Sequence, residues 1–123
     1  MKIAEEHIPY TYKESKRIYE QGLSTKEAAE NIFNTCGIKI GSAKDYPYYF
    51  RYLMTGSGSC RSLSSFTQEY YLKHILNDYG RDQLEKSLKF FITLIIKFER
   101  KNNLPKKAMR QIYEKYFEML HIN

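Results

Sequence analysis

The chain has 123 residues, 42% of them hydrophobic and only three of them proline, which predicts a folded chain that buries a core and excludes a disordered polymer. Twenty Lys and Arg against fourteen Asp and Glu give a net charge of +6, which favours acidic partners such as nucleic acid or another anionic surface. The longest apolar run, FFITLII at residues 90–96, is too short to span a bilayer, and the acidic start MKIAEEHIPY is no signal peptide. The expectation is a cytoplasmic protein with no membrane partner, its two cysteines, Cys36 and Cys60, reduced for want of a CxxC spacing or a secretory context.

Aromatic usage is skewed, with twelve Tyr, seven Phe and no Trp. Charge is also uneven. Residues 39–62 carry four cations and one carboxylate, and residues 97–116 carry seven cations and two carboxylates, whereas the other segments are close to neutral. Such regions are either solvated lysine-rich helices or binding surfaces.

The hydrophobic periodicity predicts six helices and no strand, an all-α bundle with residues 1–10 as a tail and 11–123 as a single helical domain. The first helix covers residues 11–21 and stops at Gly22. The second opens at Ser24, which forms a capping box with Glu27. Ala28, Ala29, Ile32 and Phe33 form its apolar stripe, and Gly37 closes it. Ser42 or Asp45 caps the third helix, where Pro47 is tolerated in the first turn, and Gly56 ends it. Ser65 and Gln68 form a second capping box for the fourth helix, which ends at Gly80. The fifth, residues 82–101, carries Leu84, Leu88, Phe91, Leu94, Ile95 and Phe98 and is expected to be the most buried. Asn102 and Asn103 break it, and Pro105 opens the sixth helix, residues 105–121.

Marks of catalysis are scarce. The loop TGSGSCRS, residues 55–62, has the glycines and serines of a phosphate loop, but no Lys follows its glycines and no predicted strand precedes it. His7, His74 and His121 are dispersed without a partner at i+3 or i+4, so no zinc site is expected. No G-x-S-x-G marks a nucleophile. The expectation is a protein that is not an enzyme and takes no cofactor.

The second and third helices together outline a helix-turn-helix variant, with a connection from Gly37 to Gly41 longer than usual. On the third helix Lys44, Tyr48, Arg51 and Thr55 recur at i, i+4, i+7 and i+11 and share one face, while Tyr46, Phe50 and Leu53 suit the core. That polar stripe supplies donors for phosphates and base edges. Its tyrosines, Tyr48 and Tyr52, equally suit half-burial against neighbouring helices. Arg61, just beyond this helix, and Lys106, Lys107 and Arg110, at the start of the sixth, extend the basic set. Cations in a first turn oppose the helix dipole, so Lys106 and Lys107 serve a purpose other than helix stability, either binding or solubility.

The run GSAKDY at 41–46, FRYLM at 50–54 with Gly56, then Arg61, TQEYYL at 67–72, DYG at 78–80 and Leu84 resembles the helical N-terminal region of bacterial HNH endonucleases of the McrA-like restriction type. The similarity covers roughly residues 10–116. It implies a helical DNA-targeting module that precedes a nuclease; the 123 residues themselves hold no His-Asn-His module, so the expectation is either a stand-alone targeting module or a fragment of a longer protein. Pro47 and the Gly/Ser-rich TGSGSCRS depart from the pattern; Arg51 and Arg61 match it best. The resulting expectation is a non-catalytic module that binds double-stranded DNA through Lys44, Tyr48, Arg51, Tyr52 and Arg61, with phosphate contacts from Lys106, Lys107 and Arg110. The alternative is a small protein-interaction module, such as a phage- or plasmid-encoded inhibitor of a bacterial defence nuclease, with tyrosines as interface anchors.

Overall fold

A computed structural model describes residues 4–121. It is all-helical among these residues. A 3-10 turn at Glu5–His7 leads into α1 (Ile8–Gln21), followed by α2 (Thr25–Cys36), a single-turn α3 (Ile40–Ala43), α4 (Asp45–Thr55), α5 (Ser65–Tyr79), α6 (Arg81–Asn102) and α7 (Lys107–His121). The six longer helices match the six expected. Two compact units emerge, residues 4–51 with 60–62 and residues 52–59 with 63–121.

In the first unit α1 begins at Ile8, earlier than periodicity alone suggests, because Pro9 fits the first helical turn where no N–H is needed. Ile8, Tyr12 and Ile18 of α1 and Ala28, Ala29 and Ile32 of α2 are buried, and α1 packs on α2. The Phe50 ring meets Tyr12 and Tyr19 edge-on at 5.5 and 5.6 Å, the arrangement that ring quadrupoles favour. Phe33, expected in the apolar stripe of α2, is instead 45% exposed.

Ser24 caps α2 as expected, its Oγ accepting the Lys26 N–H at 3.0 Å. The reciprocal half of the capping box is not made. Glu27 turns to Arg17 of α1, 3.0 Å away, and Arg17 also reaches Glu14 at 2.5 Å. Glu14 is 7% exposed and accepts a further bond from Asn31 Nδ2 at 2.7 Å. This buried carboxylate is held below the usual range by the Arg17 hydrogen bond, against the opposing pull of burial. An ion-paired network therefore ties α1 to α2, and tertiary pairing takes Glu27 away from its local role.

The connection expected between Gly37 and Gly41 holds α3, so Ser42 lies inside a helical turn rather than capping α4. The α3 turn packs on α2 and buries Ala43.

In the second unit α5, α6 and α7 pack pairwise. Tyr71, Leu72 and Ile75 of α5, Leu84, Leu88, Phe91, Leu94 and Ile95 of α6, and Met109, Ile112 and Tyr116 of α7 are all buried. Phe98, expected with them, is only half-buried. The cap of α5 is Ser64, not Ser65: its Oγ accepts the Thr67 N–H at 3.2 Å. Both adjacent serines fit a capping pattern, and packing decides between them. Gln68 is 1% exposed and its Nε2 donates to the Leu63 carbonyl at 3.0 Å, so it cannot serve a cap at Ser65. Pro105 likewise stays outside α7, which starts at Lys107.

Both cysteines are thiols outside any disulfide, as expected. No helix among the described residues is long and apolar enough to cross a membrane.

Candidate nucleic-acid interface

The third predicted helix is α4, and its apolar face is the one expected: Tyr46, Phe50 and Leu53 are 7%, 0% and 0% exposed. Burial, with help from the neighbouring Asp45 charge, pushes the Tyr46 hydroxyl up to about 12. That buried face fixes the rotation of the helix and leaves Tyr48 and Arg51 half-buried at its side.

In the first unit Lys44, Tyr48, Arg51 and Arg61 are brought into one compact body. Lys44 is exposed, caps α3 and leads into α4, where its carbonyl accepts the Tyr48 N–H at 3.4 Å. Burial pushes the Asp45 carboxyl above its ordinary range, and the charges of Arg61 and Lys44 offset part of that rise. Arg61, distant in sequence, thus shares the field of one carboxylate with Lys44. Arg61 is exposed, and Arg51 has no hydrogen bond or ion pair among the described residues. Three cations and one half-buried carboxylate leave this side of the unit with excess positive charge.

Tyr52 belongs to the second unit and is engaged there. Its ring lies 5.9 Å from Phe90, and a Cβ on Gly58 would come within 2.2 Å of it. Gly58 has φ +145°, a conformation L residues rarely adopt, so the loop lies directly on the tyrosine ring because the residue there is glycine. Thr55 Oγ1 donates to the Ser57 carbonyl at 3.2 Å and tightens the same turn.

The other basic set divides. Arg110 is committed: its Nε and a terminal nitrogen donate to the two Glu99 oxygens at 2.7 and 2.6 Å, a fork-on-fork pair. Lys106 donates its backbone N–H to Glu99 Oε2 at 2.8 Å. Glu99 is held down to about 2, first by Arg110 and then by the Lys106 N–H. Glu99 reaches in from α6 to the start of α7, where it accepts the Lys106 N–H and places a negative charge at the positive end of the helix dipole. The side chains of Lys106 and Lys107 have no ion pair among the described residues. Half-buried Lys106 precedes α7, and exposed Lys107 is its first residue.

One group carries no motif and stands out only on the folded helix. Lys86, Lys89, Lys97 and Arg100 are all exposed on α6, and with Thr93 they recur at i, i+3, i+7, i+11 and i+14 on the face opposite its buried leucines and isoleucine. The same spacing is present in the sequence, where the apolar stripe of that helix is the stronger signal.

Among the described residues no three His, Cys, Asp or Glu side chains converge as a metal-binding group. Compared with known protein families, curated proteins and solved structures, the chain matches none.

Proposed function

We propose that this chain is a non-catalytic module that binds double-stranded DNA, comparable to the targeting region of a restriction endonuclease and acting in the cytoplasm in restriction or phage defence. The observation that carries the reading is the cation set of the first unit. Arg51 is free of ion pairs among the described residues, and Arg61 and Lys44 share a single carboxylate, Asp45. Unneutralised guanidinium groups beside a half-exposed tyrosine are what phosphate and base-edge contacts require. Lys44, Tyr48, Arg51 and Arg61 make the principal contacts, and Lys106 and Lys107 add phosphate contacts through their ammonium groups.

The test is duplex binding by Arg51→Ala combined with Arg61→Ala. Neither side chain holds a hydrogen-bond partner among the described residues, so helical content by circular dichroism stays unchanged while most duplex affinity is lost. Equal affinity before and after the substitution would sink the assignment.

A second reading, a protein-interaction module such as an inhibitor of a bacterial defence nuclease, is favoured by a separate feature. A cleft of about 300 Å³ between α6 and α7 is lined by Leu88, Ile92, Tyr113, Phe117 and Leu120, and Phe117 is 44% exposed. Under that reading a protein co-purifies and affinity is insensitive to salt.

A further inference from the structure

The loop that follows α4 lacks the lysine of a phosphate-binding loop in its own sequence, and α6 supplies lysines to it in space. Two contacts within the second unit show this. Lys97 Nζ donates to Ser59 Oγ, and a Cβ placed on Gly56 would fall 2.9 Å from Lys86 Cγ. The loop backbone therefore passes between two lysines that are eleven residues apart on one face of α6. Gly56, at φ +82°, holds its turn where a side chain would collide with the Lys86 stem.

The loop itself is rich in unused donors. Ser57, Gly58 and Ser59 are exposed, and their backbone N–H groups donate to no acceptor among the described residues. The Ser57 hydroxyl is also without a partner there. Gly58, pressed on the Tyr52 ring, fixes the loop against the helix end rather than leaving it to swing. Successive free amides, the Ser57 hydroxyl and a lysine at each end of the loop supply the donors an anion requires.

The surrounding charge favours a polyanion. The face formed by positions 86, 89, 93, 97 and 100 has no carboxylate, and it runs for about 21 Å along the helix axis. Asp82, one turn before Lys86, ends the basic run. Glu99, on a neighbouring face, is already taken by Arg110 and Lys106. A basic track of this length is matched by the repeating phosphates of one nucleic-acid strand.

We propose that the loop at residues 56–59, with Lys86 and Lys97, is a second phosphodiester-binding site, continued along α6 by Lys89 and Arg100. It rests on the DNA-binding reading above but draws on none of that reading's residues. The amides cap a phosphate oxygen, the lysines neutralise it, and Lys97 exchanges its bond to Ser59 for one to the bound anion.

The experiment uses the full chain and a short DNA duplex across a salt series, with the paired substitution Lys86→Gln and Lys97→Gln. A control pair, Lys13→Gln and Lys26→Gln, removes equal charge from exposed positions elsewhere. The α6 pair weakens binding about tenfold at low salt and makes the slope of log K against log salt shallower by about two, one for each phosphate that no longer meets an ammonium group. The control pair changes affinity less than about twofold, as expected for a loss of net charge alone with no phosphate contact removed. In ¹⁵N spectra of the parent chain, the Ser57, Gly58 and Ser59 amides shift on addition of duplex. If the α6 pair behaves like the control pair while the parent binds duplex, this second site is overturned and the Arg51–Arg61 reading stands. No duplex binding by the parent chain defeats both. Loop amides that respond to inorganic phosphate and not to duplex overturn the nucleic-acid assignment of the loop.

Discussion

Arg51 and Arg110, one from each of the two basic regions legible in the sequence, have opposite fates. Residues 97–116 hold more cations than residues 39–62, yet Arg110 is closed by a two-pronged pair with Glu99, whose other bond is to the Lys106 backbone. Around α4 there are fewer charges, and Arg51 is paired with no carboxylate among the described residues. A count of charges therefore does not tell which arginine is available: Arg110 is held by a carboxylate and Arg51 is not. An arginine already held by a carboxylate has little left to offer a phosphate; an unpaired one gives up no ion pair by binding.

The largest expected effect concerns the open arginine, Arg51, together with Arg61. Removing both Arg51 and Arg61 costs two charge-assisted contacts and lowers duplex affinity by about 100-fold or more. Arg110→Ala, measured the same way by fluorescence anisotropy, changes affinity little. A large loss from Arg110→Ala would break the contrast between the two arginines.

The next effect tests whether a closed ion pair serves the fold. Glu14 receives bonds from Arg17 and Asn31 in a buried setting, so Glu14→Ala should lower unfolding free energy by roughly 1.5–3 kcal/mol in a urea titration. Duplex affinity at temperatures below the transition stays unchanged.

Gly58→Ala is comparable in size. It forces a side chain into the Tyr52 ring at a backbone conformation suited to glycine, and should cost about 1–3 kcal/mol by the same titration. Gly41→Ala, which meets nothing within 4 Å, serves as the mild comparison.

The smallest effect is on pH dependence. Glu99 is depressed from an ordinary 4.5 to about 2, so its contribution to stability is complete above 4.5 and is lost as pH falls towards 2. In Arg110→Ala that loss is shallower, because the largest cause of the depression is gone. Thermal melts at pH 5, 4, 3 and 2 for the two proteins read the difference. Parallel decline in both would show that the pair does not hold Glu99 down.

Much of the fold was legible because helix stops and apolar stripes are local signals. Gly22, Gly37, Gly56 and Gly80 each follow the last residue of a helix, and Asn103 adopts a left-handed conformation after α6. What the sequence withheld were choices made by distant partners. Glu27 is drawn to Arg17, Gln68 turns inward to Leu63, and Glu99 reaches eleven residues ahead to Arg110. The site was legible to the same degree. Helical spacing put Lys44, Tyr48 and Arg51 together, but nothing local told that Tyr52 would be covered by Gly58 or that Arg61 would come near Asp45. The lysines flanking the Gly/Ser loop lie some thirty residues away or more, beyond the reach of any short motif.

The most direct measurement is the salt dependence of duplex affinity for three proteins: the parent chain, Arg51→Ala with Arg61→Ala, and Arg110→Ala. The account of an open Arg51 and a closed Arg110 predicts that the double variant loses about two units of slope and most of its affinity, while Arg110→Ala follows the parent line. A double variant that follows the parent line, or an Arg110→Ala line that drops as far as the double variant's, would contradict it.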